Sequence, residues 1–149
     1  MNVAQLTEVI GALDAHDALP CKLTPDDWKK IAPHLSLRFL NTGDVLMLEG
    51  DKSRELYILA EGELQVKINH TVVATIEPGM VVGEGTFFSG QARPATVVAG
   101  SPAVAWALSW QKFELLSKQQ PAIALELSCG LAAVLATRMR EALLVGHFA

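Results

Sequence analysis

The sequence predicts a mainly β fold, a closed double sheet of jelly-roll type with helices before and after it. Three observations carry this. Between about Leu37 and Ser109, short apolar runs are punctuated by Gly-containing turns: Thr42-Gly43-Asp44, Glu49-Gly50-Asp51, Glu61-Gly62-Glu63, Pro78-Gly79 and Gly100-Ser101-Pro102. Inside those runs side chains alternate in character, apolar with polar in Leu64–Ile68 and large with small in Val104–Leu108. On either side of this region the apolar period is helical.

In chain order, Val3, Leu6, Val9, Ile10 and Leu13 recur at helical spacing and predict an amphipathic helix up to about Asp14. A second helix starts at Thr24, whose hydroxyl can cap it. Pro25 suits the first helical position, and Asp26 and Asp27 suit the positive end of the helix dipole. Trp28, Ile31 and Ala32 are its buried-side candidates, and Pro33 lies near its end. Within the sheet region, Asn69-His70 between two strand-like runs predicts a tight hairpin, since Asn tolerates positive φ. After Trp110 a short helix spans Gln111–Ser117, and Pro121 opens a long one to about Leu144. On that long helix Leu125, Cys129, Ala132, Ala136, Met139 and Leu143 share one side, with Leu131, Leu135, Ala142 and Val145 beside them. The apolar arc is wider than docking on a small domain requires, which predicts a second helix against it. Residues 1–24 form a helical extension in this reading, and residues 25–149 form the domain with its C-terminal helix.

At 149 residues, with 50% hydrophobic and 19% charged residues, the chain suits one domain around a single core and is not disordered. The net charge of −4 and the lack of a Lys/Arg run argue against a general grip on DNA or RNA, which needs many cations facing phosphates. Cys21 and Cys129 lie far apart among apolar or small residues and are expected to be buried reduced thiols. No CxxC spacing suggests zinc, and His16, His34, His70 and His147 are scattered, so each is expected to be a surface or hydrogen-bonded residue and no metal site is expected. A metal-binding cupin enzyme would want two close histidines and a glutamate. No Ser/His/Asp or Cys/His set suggests a nucleophile, so an enzyme is not expected. The N-terminus does not read as a secretory signal, no apolar stretch is expected to span a membrane, and the expected compartment is the cytoplasm.

The chemistry concentrates in Gly83-Glu84-Gly85-Thr86-Phe87-Phe88-Ser89-Gly90-Gln91-Ala92-Arg93-Pro94-Ala95-Thr96-Val97. Glycine lets a ligand approach the backbone. Small residues in a tight turn can aim several N–H groups at one anion. The Glu84 carboxylate can accept from sugar hydroxyls, and the Arg93 guanidinium offers a planar fork for a phosphate. The same two residues could equally pair with each other on the surface.

This segment resembles the phosphate-binding cassette of cyclic-nucleotide-binding domains, whose pattern is roughly Phe-Gly-Glu-Leu-Ala-Leu, a short variable piece, then Arg-Ala-Ala-Thr-Val. Gly83-Glu84 matches the Gly-Glu, and Arg93 follows at the spacing found in the kinase regulatory subunits. Ala95-Thr96-Val97 matches the exit strand. Gly43-Asp44, Leu56–Leu59 with Glu61-Gly62, and Ile76–Gly79 fall at the family's barrel turns, so the likeness runs over roughly residues 25–145. The resemblance implies that Glu84 binds the ribose 2′-hydroxyl and Arg93 the cyclic phosphate. Backbone groups of Gly83, Gly85 and Thr86 would line the pocket, and Pro94 and Ala95 would complete the site. It further implies that the Pro121–Leu144 helix covers the base and forms a homodimer.

Three positions depart from the pattern. Val82 replaces the usual Phe. Gly85-Thr86-Phe87 replaces Leu-Ala-Leu, and Pro94 stands where Ala, Ser or Thr is usual. A proline has no N–H to give a phosphate; one lost hydrogen bond to a charged group, roughly 1.5–3 kcal/mol, weakens binding about ten- to a hundredfold. Two functions remain open from the sequence. One is a sensor of a 3′,5′-cyclic nucleotide, with cAMP as the expected ligand. The other is a domain that keeps the fold without the ligand and serves as a dimerisation or docking module. The family's transcription factors continue into a helix-turn-helix, whereas the sequence stops at Ala149. Output is therefore expected through an unknown protein partner or the dimer, with no direct nucleic-acid contact.

Overall fold

The computed structural model describes Leu19 and residues 22–144. The expected helix over residues 3–14, with Cys21, His16 and His147, lies outside the described residues. Helix α1 (Pro25–Ile31) begins as the sequence requires. The Thr24 hydroxyl accepts from the Asp27 amide at 3.2 Å, and the Asp27 carboxylate accepts from the Thr24 amide at 3.0 Å. This reciprocal cap satisfies two N–H groups that the helix itself cannot. Thr24→Ala is expected to cost about 1 kcal/mol, measurable as a lower urea midpoint with unchanged slope. A 3₁₀ turn, Ala32–His34, follows.

Among the described residues, eight strands make two four-stranded antiparallel sheets. They are β1 (Ser36–Leu40), β2 (Val45–Met47), β3 (Glu55–Glu61), β4 (Leu64–Ile68), β5 (Thr71–Ile76), β6 (Val81–Val82), β7 (Thr96–Ala99) and β8 (Ala103–Ser109). One sheet runs β1-β8-β3-β6 and the other β2-β7-β4-β5. The jelly-roll expectation is therefore met. Asn69 and His70 join β4 to β5 with φ of 50° and 67°, the primed turn that matches the twist of paired strands.

The large–small alternation of β8 has a packing cause. Ala103, Ala105 and Ala107 face the barrel interior with Tyr57, Leu59, Leu64 and Val97, where bulk from both sheets converges. Trp106 and Leu108 face the other way, under the helices, with Leu56 and Ile58 of β3. That second core layer takes Trp28 and Ile31 from α1 and Phe87 from α2 (Glu84–Ser89). It also takes Phe113 and Leu116 from α3 (Trp110–Gln119), and Ile123, Leu127, Leu131 and Val134 from α4 (Pro121–Leu144).

Four sequence expectations change. The cassette read as a tight turn contains a helical turn and a half, α2, bounded by Gly83 and Gly90, both at positive φ. Cys129 is exposed on the outer side of α4, not buried. His34 is buried, yet its Nδ1 has no hydrogen-bond partner. Finally, α4 does reach membrane-spanning length and apolarity, with 24 residues and a mean hydropathy of 1.5 over its most apolar window; 33% of that window is buried within the chain. Its inner face is apolar because it packs on the barrel. Its outer face, Leu125, Cys129, Ala132, Ala136, Met139 and Leu143, is exposed along its whole length.

Candidate functional site

A cavity of about 340 Å³ opens between the second sheet, α2 and α4. All seven residues singled out in the sequence, Gly83, Glu84, Gly85, Thr86, Arg93, Pro94 and Ala95, line it. Its size lies within the roughly 300–1,000 Å³ of small-molecule sites. The remaining wall is apolar and comes from the strands: Met47, Val66, Ala74, Ile76, Val82 and Val97. The long helix closes it with Leu135 and Arg138.

Glu84 begins α2 and is buried, with its side chain 8% exposed. It does not pair with Arg93. Its Oε1 instead accepts from Arg138 Nη1 at 2.6 Å, while Arg138 Nη2 donates to the Val81 carbonyl at 2.6 Å. One residue of α4 thus holds both the cassette carboxylate and the strand leading into it. Sequence reasoning missed Arg138 and Leu135. The signal was present: Arg138 stands at i+7 from Leu131 and i+3 from Leu135, on the side that packs inward. A cation on such a stripe needs a buried partner.

Arg93 is 3% exposed. Its Nη1 donates to the Gly83 carbonyl at 2.9 Å, and its Nη2 to the carbonyls of Ser53, at 2.8 Å, and Glu55. Its own backbone is clasped to the β2–β3 connection, with Gly50 N–H donating to the Arg93 carbonyl and Arg93 N–H to Asp51. Burial pulls the Arg93 pKa below its ordinary value, while the Tyr57 hydroxyl and the carboxylates of Asp51, Glu55 and Glu84 pull it back up. Burial first, then the nearby Glu55 carboxylate, pushes the Tyr57 hydroxyl well above its usual range. The three carbonyls take three of the five guanidinium N–H groups, so two stay outside these bonds.

The far end of α2 is fixed as firmly as its start. Arg54 donates through Nε to the Phe87 carbonyl and through Nη2 to the Phe88 carbonyl, both at 2.9 Å. Its guanidinium lies 3.9 Å over the Trp110 ring. Phe87, Phe88, Trp110 and Phe113 pack edge to face and tilted around it. The cassette helix is therefore bolted to α3, and through α3 to α4.

The two glycines flanking Glu84 differ. Gly83 has φ +89°, and a Cβ there would stand 2.8 Å from Arg93 Nη1 and 3.0 Å from the Glu55 carbonyl. At Gly85 a Cβ meets nothing within 4 Å. The leucine-to-glycine departure therefore opens space at the cavity wall and leaves no hole in the core. Gly85→Ala is expected to raise stability by about 0.5–1 kcal/mol through helix propensity. Gly83→Ala is expected to lower it by at least 1–2 kcal/mol from the left-handed backbone alone. Paired urea titrations check both signs.

A family model of the cyclic nucleotide-binding domain matches residues 37–120, more than half of the chain. Acetyltransferase Pat of Mycolicibacterium smegmatis is 32% identical over 110 residues, 70% of this chain and 32% of that protein. The cyclic AMP receptor protein of Thermus thermophilus is 27% identical over 125 residues, 80% of this chain and 56% of that protein. A crystal structure of a cyclic nucleotide-binding domain from Methylobacillus flagellatus superposes with a TM-score of 0.81 at 20% identity. It covers 93% of this chain and 79% of that one. The chain thus spans about a third of the first of these curated relatives and about half of the second.

Proposed function

The chain belongs to the cyclic nucleotide-binding domain family, and from that premise we propose that it is a regulatory module that binds a 3′,5′-cyclic nucleotide, with cAMP as its ligand. One observation carries this reading: Glu84, Gly85, Thr86, Arg93, Pro94 and Ala95 meet at one cavity whose other walls are apolar. An apolar wall suits a base face, and the polar rim suits a sugar phosphate. A carboxylate has about four acceptor sites, so Glu84 can keep Arg138 and still accept a ribose hydroxyl. Arg93 retains two N–H groups for a cyclic phosphate. Leu135 and Arg138 put α4 in contact with whatever fills the cavity, so occupancy is felt by the helix. No catalytic step is assigned, and the output passes through α4, to a homodimer mate or a protein partner in the cytoplasm, without direct contact to nucleic acid or membrane.

The mate is proposed on the outer face of α4. Leu125, Cys129, Ala132, Ala136, Met139 and Leu143 follow one another at alternating steps of four and three, the seam spacing of paired helices.

A second reading has its own observation. Arg93 already donates to three carbonyls, and Pro94 contributes no N–H, so the arginine has a structural duty without any ligand. In that reading the fold persists as a dimerisation or docking module. Calorimetric titration of the whole chain with cAMP, cGMP and cyclic di-GMP separates the two. Saturable one-site binding of cAMP is the expected result. No heat with any of the three would leave the docking module.

A further inference from the structure

We propose that the Thr86 hydroxyl is a ligand contact, donating to the phosphate of a bound cyclic nucleotide where Pro94 has no N–H to give; this rests on the cyclic-nucleotide reading above. The starting observation is Thr86 itself. It is 4% exposed, and it lines the cavity together with Arg93 and Pro94. A threonine on a helix can return its hydroxyl to the carbonyl one turn back. The Thr86 hydroxyl does not, and it makes no other hydrogen bond among the described residues. Nor is it sealed inside the protein. Unlike the buried His34 Nδ1, its oxygen keeps surface that water reaches. A side chain buried elsewhere and open on a cavity wall presents that oxygen to whatever fills the cavity.

The fold gains nothing from this hydroxyl. Alanine is the better helix former, and the cassette pattern has alanine at this position. A hydroxyl left without a partner on a buried side chain is unfavourable, and an acceptor on a ligand relieves it. The neighbouring groups decide which acceptor. A ribose hydroxyl is a donor, and the Glu84 carboxylate, held by Arg138, is there to accept it. A phosphate oxygen only accepts, and the donors for it are few. Arg93 spends three N–H groups on the carbonyls of Gly83, Ser53 and Glu55, and Pro94 has none. Among the side chains lining the cavity, Thr86 carries the one hydroxyl. It rotates freely to suit an acceptor, and its bond to an ionised oxygen is of the stronger, charge-assisted kind.

The test is calorimetric titration of the full chain with cAMP and with its two phosphorothioate diastereomers, each of which has sulfur in place of one exocyclic phosphate oxygen. Thr86→Val keeps the shape and loses the hydroxyl; Thr86→Ser keeps the hydroxyl. Thr86→Val is expected to weaken cAMP at least about tenfold, as loss of a hydrogen bond to a charged group does, and Thr86→Ser less than about threefold. Sulfur accepts hydrogen bonds more weakly than oxygen. The valine penalty is therefore expected to persist with one diastereomer and to vanish with the other, whose sulfur takes the contacted position. The urea midpoint of Thr86→Val is expected to match or exceed that of wild type, since an apolar group replaces a hydroxyl without a partner. Equal cAMP affinity in wild type and Thr86→Val would overturn the proposal. So would a penalty equal for all three ligands, or a midpoint that falls together with the affinity, since either makes the hydroxyl structural. A wild type that binds none of the three ends the cyclic-nucleotide reading and this contact with it; binding that Thr86→Val leaves untouched ends the contact alone.

Discussion

Arg93→Ala is expected to abolish cyclic-nucleotide binding and also to destabilise the fold by about 3 kcal/mol. The first effect follows from removing the cation proposed for the phosphate. The second follows from the three carbonyls it holds, Gly83, Ser53 and Glu55, which are left without that charged donor. A hydrogen bond to a charged group contributes roughly 1.5–3 kcal/mol, and bonds made by one guanidinium are not additive. Arg93→Lys separates the two effects. A lysine keeps the charge but cannot fork to three carbonyls, so it is expected to recover less than half of the stability and little of the affinity. Calorimetry with cAMP and urea unfolding on the same preparations provide both numbers. If Arg93→Ala binds cAMP as wild type does, the phosphate assignment is wrong. An unchanged urea midpoint would instead show that the three carbonyls are satisfied without Arg93.

The barrel was legible because its signals are local and periodic. Gly43, Gly50, Gly62 and Gly79 all sit at positive φ, and the strand ends follow from them. Asn69-His70 read as a hairpin and is one. Thr24 read as a cap and is one. What escaped the sequence depends on contacts between distant elements. Glu84 and Arg93 share a loop, so a mutual ion pair was the natural local reading, but Arg93 turns to backbone carbonyls and Glu84 turns to Arg138, 54 residues along the chain. No spacing rule links those two positions. The helix inside the cassette escaped for another reason. Glu84–Ser89 has the glycine, threonine and serine of a turn, and its helical form is held by distant elements, with Phe87 buried among Trp110 and Phe113 and Arg54 on the Phe87 and Phe88 carbonyls. His34 read as a satisfied or surface residue because a lone histidine usually is; burial without a partner is visible only in three dimensions.

Ala132→Glu is expected to convert a dimer into monomers while leaving the barrel intact. Ala132 lies on the exposed side of α4 with Leu125, which is 66% exposed, and Met139, so a carboxylate there touches none of the chain's own core. At the seam between two α4 helices related by a two-fold axis, the same change buries two like charges facing each other. Each buried, unpaired carboxylate costs several kcal/mol, so the dissociation constant is expected to rise at least about a hundredfold. Light scattering at micromolar concentration checks this, wild type giving twice the 16.0 kDa chain mass and the variant giving that mass once, while its barrel still unfolds cooperatively in urea. Cys129 reports the orientation. In parallel helices about a two-fold axis it faces its own mate, close to the roughly 3.5–4.5 Å between Cβ atoms that a disulfide needs. Mild oxidation of a Cys21→Ser chain is then expected to cross-link it into covalent dimers, and Ala132→Glu to prevent this. A wild type that scatters as a single chain would end the dimer proposal, and a dimer that never cross-links would make the helices antiparallel.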